Sequence, residues 1–192
     1  MPLSKAHKAE TRARIVTAAG QLFRRHGFDG VGIEKIMAAA GLTHGGFYAH
    51  FRSKADLLAA VMAEQAEITD RLARRKGKTA ADLNAQLAKF LDYYLDPANI
   101  DDIGSRCFLA SLSNDAARGP KAVKRRYTET IKGVIGEFTR SLNRAETRTA
   151  DAVEALALTI GAITIARAVD DPAVAATILT TGRRAAAKRL SR

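Results

Sequence analysis

Apolar residues in the first part of the chain recur with the spacing of one helix face. Between Lys8 and Arg25 they are separated by three or four residues, which is typical of an amphipathic α-helix. These apolar residues are Ile15, Ala18, Ala19, Leu22 and Phe23. Gly27 is placed to end this helix as a left-handed cap. A shorter apolar pattern from Ile33 to Ala40 predicts a second helix.

The stretch GLTHGGFYAHF, residues 41–51, follows the second helix. Gly41 suits a tight turn with a positive φ, and Thr43 is placed to cap a third helix over 44–51. A fourth helix is predicted to begin at Lys54. A long helix followed by a short helix, a turn and another short helix is the pattern of a helix-turn-helix motif.

The rest of the chain shows the same helical periodicity, interrupted by glycine and proline. Ser53 is placed to cap the fourth helix, which the pattern extends toward Arg75, and Thr79 with Asp82 resembles a capping box. The later predicted helices run from Thr79 to Pro97 and over 105–117, 121–142, 149–169 and 172–190. Because no strand-like alternation is present, the sequence predicts an all-α protein.

Charge and cysteine content restrict the partners and the compartment. The net charge of +11 favours a polyanionic partner, either a nucleic acid or an anionic membrane surface. A single cysteine, Cys107, excludes an intramolecular disulfide and fits a reducing cytosol. The N-terminus lacks the apolar core of a signal peptide, and the apolar run 155–166 is too short to span a bilayer. We therefore expect a soluble, cytoplasmic protein without a membrane partner.

Two adjacent glycines at the start of the third predicted helix need a reason, because glycine costs a helix interior roughly 1 kcal/mol relative to alanine. A recognition helix brings its first turn against base edges in a groove about 12 Å wide. At Gly45 and Gly46 the backbone itself can approach DNA closely, and its N–H groups can meet a phosphate. His44 and Tyr48 share one flank of this helix, and Lys54 can pair with a phosphate alongside.

The stretch ARIVTAAGQLFRRHGFDGVGIEKIMAAAGLTHGGFYAHFRSKADLL resembles the N-terminal domain of TetR-type transcriptional regulators. The resemblance implies a helix-turn-helix DNA-binding domain over 8–60 and a helical effector-binding and dimerisation domain over 61–192. It implies phosphate or groove-rim contacts for Thr43, Tyr48, His50 and Lys54, and base-edge contacts for His44, Gly45 and Gly46. One departure is that Val31 and Gly32 stand where the family often has two hydroxyl residues.

The C-terminal part contains candidates for an effector cavity, which the resemblance also implies. They are Phe90, Tyr93, Tyr94, Cys107 and Phe108. Aromatic residues at helical spacing also occur as plain core, and a lone cysteine is either a small buried apolar residue or a sensor of oxidants or electrophiles.

The final helix pair is rich in Ala, Gly and Thr and is apolar over more than one face. Two such helices per chain would form a four-helix bundle across a twofold axis, since small residues let helix backbones approach closely. The residues expected in this dimer interface are Leu156, Ile160, Ile163, Val174 and Ile178. The alternative is that both helices only complete the core of one chain.

No residue pattern in the sequence indicates catalysis. It contains neither a Gly-rich phosphate loop nor a His/Cys/Asp cluster with metal spacing, so no enzyme, cofactor or metal is expected. The expected function is a one-component transcriptional repressor that binds a palindromic operator in double-stranded DNA as a homodimer and is released by a small-molecule effector. The alternatives are a transcriptional activator, and a helical ligand-binding protein or enzyme whose basic N-terminus merely binds polyanions.

Overall fold

The computed structural model describes residues 5–64, 77, 79–99, 107–142 and 148–190. Every regular element within these ranges is helical, which confirms the all-α prediction. The α-helices are α1 (Lys5–His26), α2 (Ile33–Ala39), α3 (Lys54–Glu64), α4 (Ala80–Tyr94), α5 (Phe108–Ser111), α6 (Ser113–Arg118), α7 (Lys121–Arg140), α8 (Arg148–Ala166) and α9 (Pro172–Leu190). Two 3₁₀ helices cover His44–Ala49 and Pro97–Asn99.

The chain divides into two compact units. One contains residues 1–65 and 104–128, and the other contains 66–103 and 129–192. Helices α5 and α6 thus group with α1–α3, and one reason is that Asp115 of α6 accepts a hydrogen bond from the backbone of Phe28. The domain boundary expected after residue 60 stays a prediction.

A single apolar core joins α1, α2, the first 3₁₀ helix and α3. Its largest buried side chains are Ile15, Phe23, Ile36, Met37, Phe47, Phe51, Leu57, Leu58 and Met62. The chain leaves α1 at Gly27 (φ 72°) and α2 at Gly41 (φ 68°), as predicted for two positions where a Cβ is disfavoured. These turns let three short helices pack on the longer α1.

Two predicted caps are present, and both use side-chain oxygens. The Oγ of Ser53 accepts a hydrogen bond from the backbone N–H of Asp56 at 3.1 Å. Thr79 and Asp82 form a reciprocal capping box at the start of α4. Helix α3 is described as far as Glu64, so its predicted extension toward Arg75 lies outside the described residues.

The helix predicted over 105–117 is instead two short helices, α5 and α6. The chain departs from helical geometry at Leu112 (φ −111°, ψ 11°), whose side chain is fully buried. Residues 105 and 106 lie outside the described residues. Helix α6 ends before Gly119 and Pro120, as predicted, because an extended residue before proline ends a helix.

In the second unit, α8 and α9 lie against each other at very small residues. A Cβ added to Gly182 of α9 would lie 2.5 Å from the Cβ of Ala162 of α8, so the glycine is needed for this close approach. The side chain of Asn84 on α4 donates hydrogen bonds to the carbonyls of Ser141 and Leu190. At the other end of α9, the carboxylate of Asp171 accepts from the N–H of Ala173 at 2.8 Å.

Helix α8 has 19 residues and is therefore longer than the apolar run 155–166 within it. Of the helices described, it is the one long and apolar enough to cross a membrane by length and composition alone. The run 155–166 itself remains shorter than a membrane span, and it is the longer helix around it that passes this test. Core helices pass the same test, and α8 buries Ala155, Ala162 and Ala166 inside the chain, so it is weak evidence for a membrane span.

Candidate nucleic-acid interface

Helix α2 is held at both of its ends by cationic side chains. The guanidinium of Arg14 on α1 donates to the carbonyl of Ala40 at 2.6 Å. The ammonium of Lys54 on α3 donates to the carbonyl of Val31 at 3.0 Å. These two bonds fix α2 relative to α1 and α3, so the helices next to the 3₁₀ helix are held in place.

The 3₁₀ helix 44–49 is anchored by aromatic side chains, as the sequence predicted. Phe47 and Phe51 are buried, with ring centroids 5.7 Å apart. The ring of Tyr48 meets Phe47 edge-on at 5.2 Å, yet the Tyr48 side chain is 64% exposed. The exposed tyrosine is thus oriented by a buried neighbour.

The flank adjacent to these anchors is open to solvent. His44, Gly45, Tyr48 and Ala49 are exposed, and the rings of His44 and Tyr48 meet edge-on at 6.5 Å. This confirms that His44 and Tyr48 share one flank. The segment is a 3₁₀ helix ending at Ala49 rather than the α-helix predicted over 44–51. Two adjacent glycines are poor α-helix formers, and 3₁₀ geometry is common in short helical segments, although six residues is longer than most 3₁₀ helices.

The fold itself does not need a glycine at position 45. Positive φ among the described glycines occurs at Gly27 and Gly41, so neither Gly45 nor Gly46 needs to be glycine for conformational reasons. A Cβ added to Gly45 would meet no described atom within 4 Å. One added to Gly46 would lie 3.5 Å from the flexible end of Met37, an ordinary contact. The missing side chain at Gly45 therefore leaves space on the outside of the molecule.

Thr43 does not cap the 3₁₀ helix in the predicted way. It occupies the position before that helix, but its side chain accepts no capping hydrogen bond from the described residues. Its backbone carbonyl accepts from Gly46 at 3.1 Å instead. The exposed hydroxyl of Thr43 thus makes no capping hydrogen bond to the described start of this helix.

Lys54 is half-buried and already engaged. Its ammonium lies 4.3 Å from the centroid of the Phe28 ring and donates to the Val31 carbonyl. The sequence predicted a phosphate contact for this lysine and gave no sign of these partners. One of its three N–H groups is used within the chain, so Lys54 positions the start of α2 whether or not it also meets a phosphate.

His50 lies beside the N-terminal half of α1. Its Nδ1 is buried and has no hydrogen-bond partner among the described residues. Burial, and then the charges of Lys8 and Arg12, lower the pKa of His50 below 6.5. Arg12 itself lies over the Phe51 ring at 4.8 Å. Two cations and an imidazole thus converge at one edge of the 3₁₀ helix.

Val31 and Gly32, the departure noted in the sequence, begin α2 without a hydroxyl. Val31 is fully buried, and Gly32 is the N-cap residue, without a side-chain cap. The exposed start of α2 therefore offers backbone N–H groups alone, as expected from the sequence.

The structure separates the five effector-cavity candidates into the two units. Phe90 and Tyr94 are half-buried and stacked at 5.0 Å, and Tyr93 beside them is 59% exposed. Cys107 and Phe108 belong to the other unit and are buried. The ring of Phe108 meets Tyr127, and burial together with Cys107 raises the pKa of Tyr127 to about 12. Their assignment to one ligand cavity stays a prediction.

The five expected dimer residues differ in exposure, and their role stays a prediction. Leu156 and Ile163 are 7% and 4% exposed, so they pack inside a single chain and have little surface left for a partner. Ile160 and Ile178 are half-buried, and Val174 is exposed. Because α8 is apolar on two faces, its periodicity did not show which of them points outward.

The outward face of the helix pair is a groove of about 740 Å³ between α8 and α9. Its apolar lining includes Leu158, Ile165 and Ile178, with the Glu154–Arg189 ion pair (2.7 Å) also part of the lining. Sequence reasoning missed Leu158 and Ile165, although their spacing from Gly161 places all three on one helix face.

A family model described as bacterial regulatory proteins, TetR family, matches residues 15–61, the segment that runs from within α1 to within α3. This N-terminal segment therefore matches the TetR family. The HTH-type transcriptional regulator TtgR of Pseudomonas putida is 38% identical over 71 residues, 37% of this chain and 34% of the relative. The HTH-type transcriptional repressor BepR of Brucella suis biovar 1 is 37% identical over 62 residues, 32% and 30% of the two chains.

The chain spans about a third of the length of these curated relatives. Solved structures of the family match nearly its whole length. A TetR transcriptional regulator from Chloroflexus aurantiacus is 26% identical, with a TM-score of 0.77 over 96% of each chain. The reduced form of E. coli NemR is 20% identical, with a TM-score of 0.78 over 92% of this chain and 95% of that one, and shows the same fold.

Proposed function

We propose that this TetR-family protein is a one-component transcriptional repressor that binds a palindromic operator as a homodimer. The observation that carries the proposal is the exposed flank of the 3₁₀ helix, where Gly45 leaves open space beside His44 and Tyr48. The space outside Gly45 lets a rigid partner approach the backbone closely, and the hydrogen bonds from Arg14 and Lys54 hold the neighbouring helix α2 in place. The major groove of DNA is such a partner.

The exposure of His44, Gly45, Thr43 and Tyr48 supports the residue roles in this proposal. His44, with the Gly45–Gly46 backbone, is placed to meet base edges. Thr43, Tyr48 and His50 are placed to contact phosphates, and the cations at Lys8 and Arg12 favour the same polyanion. Lys54 can add a phosphate contact through N–H groups that Val31 leaves free.

The proposed dimer uses the groove between α8 and α9, and its occupant is a second copy of this chain. Exposed large apolar residues concentrate on these two helices: Val153, Leu158, Ile165 and Val174. Gly161 lies in the groove lining, and a Cβ added there would meet no described atom within 4 Å. Two helices from each copy would form a four-helix bundle in which the glycines allow close approach.

A dimer also serves the DNA-binding function. One helix-turn-helix reads a few base pairs, and two copies reach half-sites about 34–36 Å apart, one turn of the duplex. Twofold symmetry in the protein then requires a palindromic operator.

A small-molecule effector is the proposed release signal. On the strength of the family resemblance, the candidate contacts are Phe90, Tyr93 and Tyr94 in one unit and, separately, Cys107 and Phe108 in the other. The proposal includes a cytoplasmic location, where an operator is accessible, and no enzymatic activity.

Selection of bound duplexes from a random pool tests the function directly. We expect the wild-type protein to enrich one palindrome and to retain it over a scrambled duplex of equal length at moderate salt. Equal retention of both duplexes would favour the rival hypothesis, a helical protein whose basic N-terminus merely binds polyanions. Placing the selected palindrome across a reporter promoter then separates repression from activation.

A further inference from the structure

The turn between α1 and α2 is held from outside the helix-turn-helix segment. The carboxylate of Asp115, on α6, accepts a hydrogen bond from the backbone N–H of Phe28 at 3.1 Å. The bond is partly buried and joins residues 87 positions apart within the same compact unit. Asp115 also lies 3.9 Å from where a Cβ of Gly27 would be, so the carboxylate sits directly at the end of α1.

The same turn is connected onward to α2. The Phe28 ring lies under the Lys54 ammonium at 4.3 Å, and that ammonium donates to the Val31 carbonyl just before α2. A cation over an aromatic ring is attracted by the ring's negative face, so the position of Phe28 influences where the ammonium sits. These contacts therefore connect α6 to Val31, the residue before the N-cap of α2.

We propose that Asp115 is a positioning residue for DNA binding, which fixes the start of α2 through the Phe28 amide, the Phe28 ring and Lys54. This inference rests on the proposed DNA-binding function and adds a residue that touches no DNA.

A simpler role for Asp115 is only to neutralise the start of α6. A carboxylate in the first turn of a helix is favourable without any distant partner. Two substitutions that remove the same charge separate these roles. Asp115→Asn keeps an oxygen that can accept from Phe28, whereas Asp115→Ala does not.

We expect Asp115→Ala to weaken binding to the duplex selected by the wild type by roughly tenfold, the size of one lost hydrogen bond to a charged group. Asp115→Asn should remain within about threefold of wild type, because a neutral acceptor retains part of the bond. The slope of log affinity against log salt should stay at its wild-type value in both variants, since no phosphate contact is lost. Asn114→Ala, an exposed neighbour on α6, is the matched control and should bind as wild type.

Hydrogen exchange at the Phe28 amide reports on the bond without DNA. This amide should be protected from exchange in the wild type and in Asn114→Ala. In Asp115→Ala it should exchange faster, while the amides in the core of α1 exchange at their wild-type rates. In a Lys54→Met background, Asp115→Ala should cost less operator affinity than in wild type, because the connection is already broken.

The inference is overturned if Asp115→Ala binds the duplex as tightly as Asn114→Ala, or if both Asp115 variants lose affinity equally. It is also overturned if the Phe28 amide of the folded wild type exchanges as fast as an unstructured amide, a result available even where Asp115→Ala fails to fold. Failure of the wild type to select any duplex would instead remove the proposed function, so the two failures are distinguishable.

Discussion

His50 is the residue of the candidate interface whose charge depends most on what surrounds it. In the free protein, burial and the nearby Lys8 and Arg12 lower its pKa, so at neutral pH the imidazole is uncharged. Its Nδ1 lacks a hydrogen-bond partner among the described residues. A phosphate at this edge would supply both an acceptor and a negative charge, which raises the pKa of a neighbouring imidazole.

The operator affinity of the protein should therefore increase as the pH falls from 8 to 6. Binding moves the pKa of His50 upward, so the complex takes up a proton, with a limit of about tenfold in affinity per pH unit for one proton. The stability of the free protein should change in the opposite direction. The pKa of His50 in the folded protein is below 6.5, so the unfolded chain binds this proton more tightly than the folded chain. The free energy of unfolding therefore declines as the pH falls through the range just below 6.5.

Binding titrations at several pH values, with His50→Gln and His26→Gln, check this. His50→Gln should remove most of the pH dependence, whereas His26→Gln, at the exposed end of α1, should retain it. A wild-type affinity that does not vary between pH 6 and 8 would contradict the assignment of His50 to a phosphate.

The residue types of the site were predictable, but the partners of its charged side chains were not. Exposure of His44 and Tyr48 follows from their position four residues apart, on the flank adjacent to Phe47 and Phe51. The engagement of Lys54 with Phe28 and Val31 depends on how α3 packs against the α1–α2 turn. A sequence carries no local signal for a contact of that kind.

At the scale of elements, the 3₁₀ helix 44–49 is short, is packed against the core on one side and is exposed to solvent on the other. Phe47 and Phe51 fix it from inside, so its open flank is a property of the fold rather than of fraying. The space at Gly45 faces no described atom within 4 Å. A side chain there affects only what approaches from outside.

Gly45→Leu should reduce operator affinity at least tenfold, about 1.4 kcal/mol, while the melting temperature stays near wild type. The added side chain holds the backbone away from the groove but clashes with nothing in the chain. Gly136→Leu on α7 is the matched control, because a Cβ there also meets no described atom, and its operator affinity should be unchanged. Isothermal titration and thermal unfolding of both variants provide the measurements, and unimpaired DNA binding by Gly45→Leu would refute close backbone approach at this position.

Helix positions were largely predictable because caps and stops are local. Ser53, Thr79 and the pair Gly119–Pro120 act where the sequence places them. The interruption at Leu112 was missed, since this leucine continues the apolar pattern of buried residues and no glycine or proline marks the break. The 3₁₀ form of residues 44–49 was missed for a related reason, because periodicity over six residues does not distinguish 3₁₀ from α geometry.

At the scale of the whole molecule, α8 and α9 together present two apolar surfaces. One surface packs inside the chain, where Ile163 is buried and Gly182 meets Ala162. The other carries Ile165, which is 55% exposed two residues further along α8. Sequence reasoning identified the pair of helices correctly as apolar on more than one face, but it took the larger side chains for the outward ones.

This difference gives a paired test of the dimer. Ile165→Asp should yield a folded monomer. The new carboxylate is exposed to solvent in the single chain, so the fold tolerates it, but a dimer would have to bury it. Ile163→Asp should instead unfold the chain, since it buries an unpaired charge and loses isoleucine contacts that alone contribute about 2–5 kcal/mol. Circular dichroism distinguishes the two outcomes, and light scattering at micromolar concentration gives the mass.

Operator binding completes the test. The Ile165→Asp monomer should bind an isolated half-site as the wild type does, because the helix-turn-helix is intact. Its affinity for the full palindrome should fall by a factor of roughly 10² or more, the gain that linking two binding modules ordinarily provides. Gly161→Leu should have the same effect, since its Cβ meets no described atom of its own chain and a partner helix would meet the added side chain. A wild-type protein that is monomeric at micromolar concentration, or an Ile165→Asp variant that remains dimeric, would show that the groove between α8 and α9 does not hold a second copy.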